Sequence, residues 1–486
     1  MRTQVRNLDF ASLNPGYAVA LATAMLAACA AGPDYVRPDT HAPAQFSAHD
    51  EAFQPAAPAG DFWRTFNDPV LTRLVEQSLA ANTDLKAALA RLDQVRALAG
   101  LSRFDLLPTV TAEAGHTNVR ESADQLPGVP RDRRDAHLYH GGLDAFWELD
   151  LFGRVRRGVE ASNADAESVA ADFRGAQVSV AAEVARTYFE LRGLQEQLRV
   201  AQADAANQAD TLKLTQARLD AGRGTEFDTS RATAQLEFTR SRIPALEGAV
   251  AVATHRLAVL QGREPAALEA ELAAAVPLPA LPAAVAVGAP ADLLRRRPDI
   301  AAAERRLAAA TARVGVATAD LFPRVTFNGS IGVAASNFGD LFTRDGETYG
   351  FGPAVGWAFL DLGRVRARIT AADAAAGGNL ALYEGTVLRA LEEAEDALTG
   401  YRQARAESAH LADAAGASEN AARLARVRFD AGAADFLEVL DAERSLHDSE
   451  DHLAQSRTRA ATALVAVYKA VAGGWPDHLP QVAAKN

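Results

Sequence analysis

The chain repeats itself, and that constrains its fold more than any other feature. The run Trp147-Glu-Leu-Asp-Leu-Phe-Gly153-Arg154-Val155-Arg156 returns as Trp357-Ala-Phe-Leu-Asp-Leu-Gly363-Arg364-Val365-Arg366, displaced by 210 residues. The same displacement carries Arg218-Leu-Asp220-Ala221-Gly222 onto Arg428-Phe-Asp430-Ala431-Gly432. Upstream, Asp105-Leu-Leu-Pro108 returns as Asp320-Leu-Phe-Pro323 and Asp84-Leu85 as Asp299-Ile300, with a displacement of 215. Direct counting puts 39 positions between Pro108 and Trp147 but 34 between Pro323 and Trp357, so the first copy is longer by five. The difference falls in the charged stretch Arg120–Asp135, which reads as a loop. A length change confined to one loop marks two tandem copies of one structural unit.

Within each copy the hydrophobic period changes from helix to strand and back. Asp68–Leu101 predicts a helix, opened by Asp68-Pro69 and carrying Leu71, Leu74, Val75, Leu85, Leu89 and Leu92 on one side. After Pro108 the pattern alternates, Thr109, Thr111 and Glu113 against Val110, Ala112 and Ala114. In the second copy Val325, Phe327, Gly329, Ile331 and Val333 alternate with Arg324, Thr326, Asn328 and Ser330. Returning strands place Leu143, Ala145, Trp147 and Leu149 on one face, and in the second copy Tyr349, Phe351, Val355, Trp357 and Phe359. Strands of about ten residues are long enough to cross an outer membrane at a tilt. Trp147 and Trp357 suit an interfacial aromatic girdle, and Pro353 marks an edge or bulge.

The remainder of each copy reads as long helix. No proline interrupts Arg154–Asp220 or Arg364–Asp430, each some 67 residues and so roughly 100 Å long. Val184, Tyr188, Leu191 and Leu198 form a coiled-coil-like seam; Ala394, Leu398 and Tyr401 repeat its first three places, and Val387 and Leu391 extend it backwards. Gly222 and Gly432 read as C-caps, after which return helices run from about Glu226 to Gln261 and from about Asp435 to Val471. A last helical stretch covers roughly Pro290–Ala319.

Composition narrows the function classes. Hydrophobic residues make up 49% of the chain but aromatics only 7%, and the mean hydropathy is −0.09, so alanine dominates and large central cores are not expected. The net charge of −12 without a Lys/Arg tract argues against nucleic acid. One cysteine excludes an intrachain disulfide or a Cys-rich metal site. His137 and His140 lie three apart in the expected external loop without a clustered third ligand, so no metal is assigned. No cofactor-binding motif is present, nor any nucleophile-elbow, Walker or zinc-protease motif, and the chain is read as a non-enzyme. Arg2 and Arg6 precede the apolar stretch Tyr17–Ala28, a segment of signal-peptide length. It ends in Leu26-Ala27-Ala28-Cys29, the small-residue pattern of a lipoprotein cleavage box. Cys29 is therefore the expected lipid attachment point.

Four membrane-length strands cannot close a barrel, and an open sheet edge in hydrocarbon leaves backbone groups unsatisfied. Several copies must combine: two give eight strands with a filled interior, whereas three give twelve and leave a lumen. The Gly/Ala and polar inner faces favour a passage.

In the order Cys29, Gly32-Pro-Asp-Tyr-Val-Arg-Pro38, Phe62-Trp63, Asp68-Pro69, Leu294-Arg-Arg-Arg-Pro-Asp-Ile300, Leu321-Phe-Pro323, Gly363-Arg364 and Arg428 through Leu446, the sequence resembles the TolC-like outer membrane factor family. Within it the likeness is to the lipoprotein branch of OprM- and NodT-like efflux channels, and it covers essentially the whole mature chain. The resemblance implies a mainly α protein with membrane β-structure: a homotrimer whose twelve-strand outer-membrane β-barrel continues into a long α-helical periplasmic barrel. It further implies an outer-membrane duct of a tripartite efflux pump, served by an inner-membrane transporter and a periplasmic adaptor, and gated at its periplasmic helix tips. Leu437 and Asp441 match the family's constricting leucine and aspartate; in a trimer they would form an apolar ring and a carboxylate ring. The turns at Asp220, Ala221 and Gly222 and at Asp430, Ala431 and Gly432 would meet the adaptor. Arg231 stands where the first copy would place the equivalent of Asp441, so the copies differ there. A solvated Asp441 beside Arg444 is the alternative. Other functions weighed are a duct for type I protein secretion and a lipid-anchored periplasmic scaffold or adaptor.

The expected organisation is a signal peptide over 1–28, a lipidated extended segment over 29–66 and the first repeat over 67–262. An Ala/Pro-rich connection over 263–289, the second repeat over 290–472 and a tail over 473–486 complete it.

Overall fold

The computed structural model describes residues 30–471, so the signal segment, Cys29 and the 473–486 tail lie outside the described residues. In chain order come strand β1 (Phe53–Gln54), helices α1 (Pro69–Ala81) and α2 (Thr83–Phe104), and strands β2 (Thr109–Arg120) and β3 (Asp135–Leu149). Helix α3 (Arg154–Asp220), its return α4 (Glu226–Leu260), the short α5 (Glu269–Leu272), strand β4 (Val285–Ala286) and helices α6 (Pro290–Arg296) and α7 (Pro298–Ala319) follow. Strands β5 (Arg324–Ala335) and β6 (Glu347–Gly356) lead into α8 (Leu362–Asp430) and α9 (Phe436–Ala470). Two compact units result, and each draws on both sequence repeats: residues 30–39, 92–169 and 303–383 form the first, and 40–91, 170–302 and 384–471 the second.

The first unit is built on a four-stranded antiparallel sheet in the order β2-β3-β5-β6. Register aligns the alternation of all four strands: Val110 pairs with Ala145, Leu143 with Ile331, Trp147 with Phe327, and Ile331 with Tyr349. Since side chains alternate with period two, this registry gathers the apolar residues on one face. Duplication extends to atomic detail. The Trp147 indole donates to the Leu106 carbonyl at 3.1 Å and the Trp357 indole to the Leu321 carbonyl at 3.0 Å, each pinning a strand to the turn before the preceding strand.

The strands run longer than their alternation suggested. β3 begins at Asp135 rather than near Leu143, which moves His137 and His140 out of the expected loop and into a strand. Its extra residues pair fully with β2 up to Asp135 opposite Arg120, so backbone bonding continues where the hydrophobic alternation fades. Pro353 sits in β6, an outer strand of the sheet in this chain.

The amino-terminal segment closes this unit. Tyr35 packs on Ala164, Ala308 and Ala309, and its hydroxyl donates to Glu304 at 2.8 Å. Arg157, only 5% exposed, binds Asp34 at 2.5 Å and Glu160 at 2.8 Å and reaches the Ala31 carbonyl.

In the second unit the long helices carry a seam that both copies share. Gln177, Val180, Val184, Tyr188 and Leu191 are buried, and so are Val387, Ala390, Ala394, Leu398 and Tyr401 at the corresponding places. Leu198 and Leu391, read as seam from their spacing, are half-buried. Gln195 continues the first seam because its amide donates to the Leu272 carbonyl at 2.7 Å, which satisfies a buried polar group that spacing alone rejects. An aromatic cluster explains the Phe62-Trp63 motif: Phe62 stacks on Tyr468 at 5.1 Å and Phe66 packs on Phe189 at 4.8 Å between ring centres. Asp68 caps α1 by accepting from the Val70 and Leu71 amides and also accepts the Tyr188 hydroxyl at 2.6 Å. Burial, with Asp68 adding to it, pushes that hydroxyl up to about 12.

Two helical stretches expected to be continuous are each broken once. Asp68–Leu101 divides at the buried Asn82, whose side chain accepts from the Leu85 amide and donates to the Leu260 carbonyl at 2.9 Å. Pro290–Ala319 divides at Arg297, held extended before Pro298. The connection between the repeats is more than extended chain: β4 pairs in parallel with β1, joining it to the amino-terminal segment.

Arg297, 7% exposed, donates to Asp299 at 2.7 Å, to Glu393 at 2.7 Å and to the Ala470 carbonyl at 3.1 Å, tying α7, α8 and the end of α9 together. Removing one partner of a buried ionic network costs about 3 kcal/mol or more, less where the acids keep some water. Arg297→Ala is expected to cost about 2–3 kcal/mol, read as a lower thermal unfolding midpoint, with Arg297→Lys recovering only part because it lacks the guanidinium fork. Glu395 accepts from the Ser47 amide and hydroxyl, both at 2.7 Å, and from the Ala48 amide at 3.2 Å. Burial opposes ionisation, but these hydrogen bonds outweigh it and hold the carboxyl below the usual range. Its stabilising contribution is therefore present above the ordinary glutamate pKa and lost as pH falls through the lowered value. Unfolding measured from pH 6 down to about 3 should show a flatter acid limb in Glu395→Gln.

Candidate functional site

Two features carry functional geometry, one in each unit. In the first unit the two faces of the sheet differ in chemistry. One presents Val110, Leu143, Ile331, Tyr349, Phe351 and Val355, all strongly exposed, with Tyr349 79% and Phe351 76% accessible. The other presents Thr109, Thr111, Asp144, Asn328, Ser330, Gly350 and Gly352 around an open concavity, together with Phe146. Glycines here serve close approach: a Cβ on Gly332 would lie 2.5 Å from the Gly141 carbonyl oxygen, and one on Gly115 would lie 2.6 Å from the His140 ring. Aromatic residues mark the apolar face at two levels. Trp147 lies near one end of β3, and Tyr139, stacked on His116 at 4.1 Å, lies eight residues away, which is about 27 Å along a strand. Ion pairs fix the strand-to-helix junction. Arg154 meets Glu148 at 2.5 Å, which holds the arginine above its ordinary range, and Asp150 accepts from the Val155 and Arg156 amides.

In the second unit the hairpin turns are built alike. Gly222 and Gly432 take the left-handed conformation, φ +69° and +71°. The Arg223 amide donates to Arg218 and the Gly222 amide to Leu219; the Ala433 amide donates to Arg428 and the Gly432 amide to Phe429. This paired closure is the Schellman arrangement, which satisfies the last carbonyls of each long helix. Thr225 and Asp228 then form a capping box for α4, and Asp435 caps α9. Asp220, Ala221, Gly222, Asp430, Ala431 and Gly432 are all exposed.

Sequence reading did not identify what holds the turns together. The Arg218 guanidinium lies over the Phe429 ring at 4.2 Å and joins the two hairpins, while Phe429 meets Phe436 at 5.6 Å and Arg428 pairs with Glu438 at 3.0 Å. The repeat itself held the signal, since leucine at position 219 becomes phenylalanine at 429.

Leu437 and Asp441 share one exposed face of α9, four residues apart, while Val439, Glu443 and His447 point into the unit. Asp441 does not pair with Arg444, which instead meets Asp448 at 3.9 Å. No basic group among the described residues pairs with Asp441, so its carboxylate is free to face another surface. In α4, Arg231 lies against the Phe227 ring at 5.6 Å. His137 and His140 make no metal-ligand cluster with acids among the described residues; His137 contacts Asn118, and His140 lies 3.7 Å from Glu113.

Comparison with known proteins gives this geometry its context. The family model described as outer membrane efflux protein matches the chain twice, over residues 74–263 and 289–473. Nodulation protein T of Rhizobium leguminosarum bv. trifolii is 30% identical, with 93% of this chain and 96% of that protein covered. Outer membrane protein OprJ of Pseudomonas aeruginosa is 31% identical over 95% and 96% of the respective chains. Among solved structures, the outer-membrane channel OprN aligns with a TM-score of 0.86 and 42% identity, covering 92% of this chain and all of that one. The open-state MtrE outer membrane channel of Neisseria gonorrhoeae aligns with a TM-score of 0.81 and 28% identity over 92% and 98%. With the family model matched across both repeats, the chain belongs to the outer membrane efflux protein family.

Proposed function

We propose that the chain is the outer-membrane channel subunit of a tripartite efflux pump, a passive duct for drugs or other small molecules. The observation that carries this reading is the two-faced, four-stranded sheet, apolar on one side and Gly/polar on the other, with β2 and β6 left as edges. In lipid those edges require partners, because each unsatisfied backbone group costs several kcal/mol. Three copies supply twelve strands and enclose a lumen, with the Gly/polar face inward and the apolar face in lipid.

Further features support a homotrimer. Phe238 is 68% and Val252 67% exposed on α4, and the most apolar window of that helix is only 28% buried within the chain. Exposed apolar surface on this scale calls for a cover. The free face carrying Leu437 and Asp441 supports a gate, since three copies set these residues in an apolar ring and a carboxylate ring, the first resisting wetting and the second attracting cations. The paired, exposed turns at Gly222 and Gly432 offer a surface for a periplasmic adaptor, which hands over cargo from an inner-membrane transporter of the resistance-nodulation-division type.

Lipidation of Cys29 fits the start of the described chain. The Ala31 amide donates to the Phe152 carbonyl at 2.9 Å, and Ala30 packs so closely on Gly153 that a Cβ there would lie 2.9 Å from the Ala30 Cα. Ala30, the residue that follows Cys29 in sequence, is thus held against Gly153, four residues beyond the end of strand β3.

Purified protein reconstituted in a planar bilayer should conduct and should run as a heat-resistant trimer; absence of both overturns the channel reading. Asp441→Ala is expected to raise resting conductance and weaken cation selectivity, and unchanged values reject Asp441 as a gate residue. Metabolic labelling with palmitate should mark the wild type and leave Cys29→Ser unlabelled, with equal labelling of the two rejecting the anchor.

A further inference from the structure

A cluster separate from the gate face lies between helices α3 and α9, inside the second unit. Asp204 on α3 and His447 on α9 are 6% and 8% exposed, and the His447 Nδ1 faces an Asp204 carboxylate oxygen at 2.5 Å. Glu450, one helical turn beyond His447, brings a third donor, and the three ligand atoms lie within 4.8 Å of one another. The repeat-equivalent positions in α4, Glu237 and Arg240, form only an ordinary surface ion pair.

The cluster is unsatisfied as it stands. Neither ring nitrogen of His447 makes a hydrogen bond of acceptable geometry: Nδ1 meets Asp204 only as an ion-pair contact, and Nε2 has no partner among the described residues. Gln208, one turn beyond Asp204 on the same face of α3 and 4% exposed, leaves its Oε1 without a partner and lines the same small cavity as His447. A buried polar group without a partner is destabilising, and two such side chains converge here. The surroundings are anionic: Glu419 and Asp204 act on Glu450, and Arg199 is the cation that acts on it from α3. Burial and Asp204 together raise the Glu450 carboxyl above its usual range, whereas a cation between them would reverse that. Glu443 nearby is already neutralised by Arg426 at 2.7 Å.

We propose that Asp204, His447 and Glu450 form a site for a borderline divalent transition metal of the zinc class, with Gln208 as a further oxygen donor, clamping α3 to α9. One imidazole with carboxylate oxygens suits zinc-like ions, whereas magnesium and calcium favour oxygen-only shells. Donors about 2.0–2.2 Å from a tetrahedral ion stand roughly 3.3–3.6 Å apart. Asp204 and His447, now 2.5 Å apart, therefore separate slightly to admit the ion, and the half-buried Glu450 side chain swings in as the third donor. Clamping α3 to α9 joins the two hairpins whose tips carry the gate face. The metal site stands without the channel reading, and only its effect on opening rests on that reading.

Full-length, untagged protein in detergent, freed of metal with chelator, is titrated with zinc chloride against a chromophoric zinc chelator, with magnesium chloride as the comparison ion. Expected is about one zinc per chain and no response to magnesium. Affinity should fall at least about tenfold in His447→Gln, in Asp204→Asn and in Glu450→Gln, and stay unchanged in His452→Ala, whose side chain is exposed. Zinc should also raise the thermal midpoint of the wild type and not that of His447→Gln, which keeps the shape of a polar side chain in case His447→Ala fails to fold. Wild-type zinc binding that survives His447→Gln, or no zinc binding at all, overturns the site. A midpoint that shifts with pH through His447 but not with zinc reduces the cluster to an ion pair and likewise overturns it. Both readouts are independent of conductance, so a failed channel assay leaves them interpretable.

Discussion

Backbone hydrogen bonding in hydrocarbon is the constraint on which the rest of this structure depends. A strand in lipid must pair along its full length, because water is not there to replace a missing partner. The ladder obeys this beyond what hydrophobicity asks. β3 pairs with β2 through Asp135, three residues beyond Leu138, and with β5 from Leu149 to Tyr139. The registry of β3 with β5, which joins the two repeats, also decides which residues share a face. A slip of one residue would put Asp144 and Glu148 beside Phe327 and Ile331 and expose the glycines to lipid. The same ladder leaves the outer edges of β2 and β6 without partners among the described residues, so a sheet suited to lipid is unfinished within one chain.

Duplication solves one problem twice and then lets the copies diverge. The indole anchors at Trp147 and Trp357, the Schellman turns at Gly222 and Gly432 and the buried seams of α3 and α8 are shared, because each satisfies a backbone or packing demand that both copies face. Divergence occurs where those demands are already met. Arg231 lies against Phe227 in one return helix, whereas Asp441 stands free in the other. His447 and Glu450 enter a buried cluster where Glu237 and Arg240 remain on the surface.

The sequence was most informative where a rule has a strict period or a steric cause. The ends of α3 agree with the proline-free run, since Gly222 alone can take the left-handed turn at low cost. Strand faces followed from alternation, and the registry agrees. What was not legible depends on contacts between residues far apart in the chain. Asn82 breaks a helix because it reaches the Leu260 carbonyl, 178 residues away. At Arg297 the break has a local cause in Pro298, but the partners of its guanidinium, the Ala470 carbonyl and Glu393, lie far off in the chain. The seam shifted from Leu198 to Gln195 because the Leu272 carbonyl accepts a polar side chain there. The face proposed for the gate was half legible: the spacing of Leu437 and Asp441 gives their common face, but the loss of Arg444 to Asp448 is a rotamer choice that spacing does not encode.

The motif Leu294-Arg-Arg-Arg-Pro-Asp-Ile300 shows how one short string serves several scales. Leu293 and Leu294 are buried, Arg296 donates to the Pro58 carbonyl at 2.9 Å, and Arg297 joins α8 to the end of α9. Pro298 disfavours the helical conformation at Arg297, which is extended there, and so turns its side chain out of the helical register. Asp299 then meets the guanidinium and also accepts from the Ile300 amide, starting the next helix with the charge its amino end favours. Most residues in the string meet different requirements: Leu294 and Ile300 fill the core, Arg296 and Arg297 satisfy carbonyls or charges, Pro298 sets the break and Asp299 starts the next helix, while Arg295 makes only a surface pair with Asp292. The exposed turns follow the opposite logic. Glycine meets their steric demand, and the exposed side chains of Asp220, Ala221, Asp430 and Ala431 carry no packing requirement of their own.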